Sequence, residues 1–253
     1  MNSFVIFTIS NNRYAINLLH TWRIIQAKKL KRVPNSTKLI DGLLSFEESV
    51  IKVLNLRMVL KIEPFEEEVK HKLDTTKEFH KRFYKTISES IKSGEDFPFE
   101  LNPNRCSVGQ FIGQFNIPDI INDSFKEFKY IHSKFHNITV SILKESDKEK
   151  ALDRVEKELT PLYKQLLSKF DSFKQDIDEI SNHMQKYIIF RKGLKTFAIK
   201  VDAIVDIISV ANSDIKVEDS ESSVSSALSM NGVFESDEKL VTIIDDFSIR
   251  ELE

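Results

Sequence analysis

Apolar and polar residues alternate in short runs at both ends of this chain, and recur every three or four positions between them. Near the start the runs are "FVIFTI", "YAINL" and "SVIKVLNL". Near the end they are "YIIF", "TFAIKV", "AIVDIISV" and "LVTIID". Alternation over about four to eight residues marks half-buried strands, so residues 1–65 and 186–253 are predicted to be β-rich. Residues 66–182 combine charged stretches with apolar positions at helical spacing and are predicted to be helical. The Ser-rich stretch 217–232 is expected to be a loop.

The two β-like ends echo each other. "FVIFTISNNRYAINLLHTWRII" (4–25) lines up without gaps on "YIIFRKGLKTFAIKVDAIVDII" (187–208), placing Phe7 on Phe190, Ala15 on Ala198 and Ile24 on Ile207. Each copy has the form strand, tight turn, strand, short amphipathic piece. "SVIKVLNLR" and "KLVTIIDDF" correspond in the same order. The pattern predicts two halves of one β-rich domain, interrupted by helices.

In the helical part, one stripe carries Val69, Leu73, Thr76, His80, Phe83, Ile87 and Ile91, with a stop near Ser93-Gly94. Another carries Phe125, Phe128, His132, Phe135, Thr139 and Ile142, with His136 beside Phe135. The last carries Val155, Leu159, Leu162, Leu166, Phe170, Phe173, Ile177 and Ile180, and Pro161 should bend or break it. "CSVGQFIGQF" (106–115) supplies a short helix at most. A four-helix bundle with one short member is the predicted arrangement.

Three histidines lie on or beside these core stripes, where phenylalanine would pack better. His132 and His136, at i and i+4, project from one helix face about 6 Å apart along the axis. With His80 and Cys106 from two further helices they offer three imidazoles and a thiolate, enough to close a tetrahedral zinc shell. The plainer reading is that each histidine is a hydrogen-bonded core residue and Cys106 a small hydrophobe. Against it, several neutral imidazoles in one core each need a polar partner, and the stripes offer few. His20, His71 and His183 lack this arrangement and fit the surface or its boundary.

Composition narrows the setting. The chain has 253 residues, a net charge of -2, 41% hydrophobic and 30% charged residues, as expected of a soluble globular protein of one or two domains. No apolar run approaches the ~20 residues of a membrane span, and "MNSFVIFTIS" lacks signal-peptide features. The balanced charge gives no reason to expect nucleic acid. A single cysteine forms no intrachain disulfide, which suits a cytoplasmic location. Neither H-E-x-x-H, nor G-x-S-x-G, nor a Gly-rich phosphate loop is present. With four protein ligands on a metal, no position is left for substrate, so an enzyme is not expected.

"HKRF" (80–83), "CSVGQF" (106–111) and "HSKFH" (132–136) together resemble the signature of the chemoreceptor zinc-binding (CZB) domain. Phe83 and Phe111 stand where that family often has Trp. The resemblance implies Zn2+ held by His80, Cys106, His132 and His136, in a cytoplasmic sensor of zinc or of oxidants such as hypochlorous acid, with Cys106 as the redox-sensitive ligand. The flanks resemble the CheW-like chemotaxis adaptor domain: the opening "FVIFTISNNRYAINLLHTWRII", then "RVPNSTKLIDGLL", "VIKVLNLRMVL", "YIIFRKGLKTFAIKVDAIVDIISV" and "LVTIIDD".

The two resemblances imply an α+β fold in which a CheW-like pair of small β-barrels, residues 1–65 and 185–253, is split by an inserted helical bundle, residues 66–184. They imply a non-enzymatic adaptor whose partners are a CheA-like histidine kinase and the cytoplasmic tip of methyl-accepting chemoreceptors. Ile25, Leu44 and Val205 are candidate partner contacts, each equally open to being core. Ser45, Phe46, Glu47 and Glu48 stand where the family usually has Asn-Leu-Arg-Gly, so Glu47 reverses a charge at a partner-binding position. A scaffold in which zinc is purely structural, and a zinc metalloenzyme, are the alternatives.

Overall fold

The computed structural model describes residues 1–31, 37–113, 123–217 and 228–247. The chain opens with strands β1 (Asn2–Ile9), β2 (Asn12–Asn17) and β3 (Thr21–Gln26), then β4 (Ile40–Phe46), β5 (Ser49–Asn55) and the single turn α1 (Leu56–Val59). Helices follow: α2 (Phe65–Ser93), α3 (Ser107–Gly113), α4 (Asp123–Leu143), α5 (Lys148–Arg154), α6 (Thr160–Gln175) and α7 (Ile177–Met184). Strands return as β6 (Lys186–Lys192), β7 (Lys195–Val201), β8 (Ala203–Val210), β9 (Leu228–Ser236) and β10 (Lys239–Phe247). Two compact units result, Met1–Phe65 with Ser181–Glu253, and Glu66–Ile180.

The first unit holds two five-stranded sheets, ordered β8-β1-β2-β10-β9 and β3-β6-β7-β5-β4. The amphipathic pieces expected after each hairpin are strands, β3 and β8, and each pairs with the other half's hairpin, β3 against β6 and β8 against β1. Exchanging the halves turns one sheet order into the other. Equivalent registers recur in the parallel pairs, Ile243 beside Ala15 and Val53 beside Ala198. Five residues of the expected 217–232 loop, from Leu228 on, belong to β9; 218–227 lie outside the described residues.

The echo extends to two glycines. Gly42 faces Val53 and Gly232 faces Ile243, each beside a register shift. A Cβ on Gly42 would lie 2.6 Å from the Lys31 carbonyl oxygen, and one on Gly232 3.1 Å from that of Lys216. At these points the segment following each edge strand crosses to the opposite edge, where Lys31 bonds Leu43 and Lys216 bonds Val233. The expected barrels are therefore five-stranded sheets, each drawn round by one bridge.

Both faces of these strands are apolar because both are covered. Val5, Phe7, Ile9 and Ile16 share a core with Ile188, Phe190, Phe197 and Ile199, which joins the two sheets. The alternate residues Phe4 and Ile6 join Ala15, Phe234 and Val241 in a second core, and Leu44, Val53, Tyr187 and Ile189 form a third.

In the helical unit the predicted stripes are buried along their length, from Val69 to Ile91, Phe125 to Ile142 and Val155 to Ile180. Glu66, Glu67 and Glu68 occupy the first turn of α2, where the helix dipole favours negative charge. That helix stops at Ser93, and Gly94 takes φ +80 and returns its N–H to the Ser90 carbonyl, a glycine stop. The last stripe is interrupted before Pro161: residues 155–159 form a π-turn in which Thr160 donates to the Val155 carbonyl, and α6 starts at Thr160. Widening the turn accommodates the proline, which has no N–H to give. A second interruption at Asp176 separates α6 from α7.

Candidate metal centre

α2 carries His80 on its core stripe, α4 carries His132 and His136 on adjacent turns, and Cys106 immediately precedes α3. The structure brings all four together, with one potential ligand atom from each lying within 4.8 Å of the others. His80 and His136 are fully buried, and His132 and Cys106 are 2% exposed. Nε2 of His80 lies 3.4 Å from Nε2 of His136, and Sγ of Cys106 lies 3.1 Å from Nε2 of His132.

Backbone carbonyls fix two tautomers. His80 Nδ1 is 2.7 Å from the Thr76 carbonyl oxygen, and His136 Nδ1 is 3.0 Å from that of Leu101. A carbonyl only accepts, so both Nδ1 atoms carry the proton and both Nε2 atoms present lone pairs. Two lone pairs facing each other at 3.4 Å repel unless a cation lies between them. A tetrahedral ion with bonds of about 2.05 Å would set its nitrogens about 3.3–3.4 Å apart. Such second-layer carbonyls are the usual means of orienting imidazole ligands.

The electrostatics favour uncharged rings. Burial, together with the neighbouring imidazoles of His136 and His80, holds His132 down to about 2. Burial and His80 hold His136 down to about 4, against a partial lift from the Leu101 carbonyl. Burial also lowers His80, with the Thr76 carbonyl opposing it. Neutral imidazoles are the ligating form. Burial raises the Cys106 thiol, while N–H groups of Gly109 and Val108 pull it down; a bound cation would reverse the balance and release the proton.

Gly109 is required for this geometry. Its N–H points at Cys106 Sγ at 3.4 Å, and a Cβ there would stand 1.9 Å from the Pro103 carbonyl oxygen. The glycine three residues after the cysteine thus permits the turn that aims the sulfur inward. Phe83 packs on both His80 and His136, with ring centroids 6.1 and 5.1 Å away. A buried His3Cys group of this kind can hold a metal ion.

The Leu101 carbonyl carries no sequence signal, because any residue presents one. The Thr76 carbonyl had only its i−4 position relative to His80. Of the candidate partner contacts, Leu44 is 1% exposed and takes the core alternative, with its side chain inside the third core. Ile25 is half-buried against the same core. Val205 is exposed on the edge strand β8, and Glu47 is exposed in the β4–β5 turn with φ +52. His20, His71 and His183 lie outside the cluster.

Residues 3–76 match the CheW-like domain. The match takes in β1 to β5 and reaches into α2. A solved structure of the scaffolding protein TtCheW from Thermoanaerobacter tengcongensis is similar at 10% identity and a TM-score of 0.47, covering 97% of this chain and 90% of that one. No curated protein matches the chain. Among the described residues no helix is long and apolar enough to cross a membrane.

Proposed function

We propose that this protein is a cytoplasmic chemotaxis coupling protein whose helical unit is an inserted four-helix, CZB-like zinc-binding bundle. The sheets bridge a CheA-like histidine kinase and the cytoplasmic tip of a methyl-accepting chemoreceptor. The CheW-like match over residues 3–76 supports the adaptor half of this reading. The observation that carries the metal half is the buried convergence of His80, Cys106, His132 and His136, with two Nε2 lone pairs turned toward one point.

In this reading Zn2+ takes three Nε2 atoms and the Cys106 thiolate, which leaves no position for substrate, and the protein is not an enzyme. Loss of the ion, or oxidation of Cys106 to a sulfenic acid, removes a ligand and loosens the bundle. Coupling then changes because two arrangements of the bundle favour different partner affinities. Val205 and Ile25 are the retained partner-contact candidates, and Glu47 would meet a partner surface different from the one an arginine serves.

The near-complete burial of the four side chains favours a second reading, in which the metal only holds the helices together. One experiment separates the two. Metal content is measured on purified protein, and kinase activity is measured in reconstituted receptor–kinase arrays with wild type and Cys106→Ala, with zinc, chelator or hypochlorous acid. Sensing requires wild-type activity to change with treatment and the variant to be unresponsive. Equal activity under all treatments, with zinc bound, leaves the structural reading. Absence of bound metal ends both.

A further inference from the structure

One buried ion pair holds both ends of the helical insertion, as they sit in the sheet unit. Arg57, in α1, donates from Nε to Asp202 Oδ1 at 2.9 Å and from Nη2 to Asp202 Oδ2. Both side chains are almost wholly buried. The same guanidinium donates from Nη1 to the Glu63 carbonyl at 2.6 Å and lies 5.1 Å from the Phe65 ring centroid. Glu63 and Phe65 are where the chain leaves the sheets. Asp202 accepts from Gln185 Nε2 at 3.2 Å and from the Ser10 N–H at 2.6 Å. Gln185 is where the chain returns, immediately before β6. Its carbonyl accepts from the Ala27 N–H, and Gln26 Nε2 caps the carbonyls of Asn182, His183 and Gln185.

The internal echo has no equivalent of this cluster. In the repeat, Arg57 lines up with Phe247, a buried aromatic, and Asp202 with Leu19, which is 85% exposed. The ion pair exists once, at the side where the insertion departs. It is also strained in one respect. Gln185 is 2% exposed, and its Oε1 is the buried side-chain oxygen without a hydrogen-bond partner among the described residues. Opening the return segment would hydrate that oxygen, which lowers the cost of local opening there.

We propose that Arg57, Asp202 and Gln185 form a clasp through which the state of the helical unit is transmitted to the sheets. Loosening of the helices pulls on the exit at Glu63 and the return at Gln185 together, because one carboxylate–guanidinium pair anchors both. These are positioning residues, acting on the strands through Ser10 and Ala27. The inference rests on the metal-responsive reading for the nature of the signal, but not for the existence of the linkage.

The test is native-state hydrogen exchange on the full chain, following the amides of Ser10 and Ala27, with Ala15 in the buried strand β2 as control. The helices are perturbed in two ways: zinc removal by chelator, and Leu166→Ala in the core of α6. Exchange at Ser10 and Ala27 is expected to rise about fivefold or more under either perturbation, with Ala15 unchanged. In Arg57→Met/Asp202→Leu, which replaces the pair by apolar side chains, Leu166→Ala should no longer reach Ala27 beyond its effect on Ala15. Leu166→Val serves if the alanine variant does not fold. A response to Leu166→Ala but not to zinc removal keeps the clasp and sinks the metal reading. Unchanged exchange at Ser10 and Ala27 in the Leu166 variant overturns the clasp, whether or not zinc binds.

Discussion

His80 and His136 turn their Nε2 atoms toward each other across 3.4 Å, while each gives its Nδ1 proton to a backbone carbonyl. The arrangement leaves two lone pairs opposed in a buried core, stable only when a positive charge sits between them. One divalent ion per chain is therefore expected on purification. Removing a ligand, as in His80→Ala or Cys106→Ser, should weaken zinc affinity by at least about tenfold, the loss usual even for second-layer partners. Competition titration against a chromophoric chelator measures it. Wild-type affinity in both variants would count against the site.

Acid should unfold the metal-free protein. Burial holds His132 at about 2 and His136 at about 4, and lowers His80, whereas an unfolded histidine titrates near 6.5. Below ~6.5 the unfolded chain binds more protons than the folded one, so stability falls as pH falls, by up to about 1.4 kcal/mol per pH unit for each such histidine. For His136 the loss is complete near pH 4. Denaturant midpoints of chelator-treated protein between pH 7 and 4 check this. A triple His→Phe variant should have a flatter profile.

Gly109→Ala should damage the candidate centre without touching any of its four candidate ligands. The added carbon would stand 1.9 Å from the Pro103 carbonyl oxygen, which is backbone and cannot swing aside. A cost of about 1–3 kcal/mol is expected, the range for overpacking. Zinc affinity should fall with it, because the turn holding Cys106 must open. Thermal melts with and without zinc provide the measurement.

Ser10 and Gly193 occupy equivalent hairpin turns, and both are left-handed, with φ 54 and φ 60. Serine is strained there and glycine is not. Ser10→Gly keeps the N–H that Asp202 accepts and should be neutral to stabilising by up to about 1 kcal/mol. Gly193→Ser should destabilise by about 1 kcal/mol, the usual cost of placing a side chain in that region. Equilibrium unfolding of the two variants should show opposite signs.

Much of this protein was legible along the chain because periodicity is local. Stripes such as Val69 to Ile91 fixed α2 and its buried face, and alternation in "FVIFTI" and "TFAIKV" fixed strands. The repeat of 4–25 in 187–208 revealed two halves. The candidate ligand set could be named because His80, Cys106, His132 and His136 are chemically unusual at core positions. Tertiary structure decided what depends on distant parts of the chain meeting: the pairing of β3 and β8 with the other half's hairpins, the bridges beside Gly42 and Gly232, and the burial of Leu44. It alone set the tautomers, since the Leu101 carbonyl reaches His136 from 35 residues away in sequence and any residue could have supplied it. It also joined Arg57 to Asp202 across 145 residues, an attraction that no local pattern encodes.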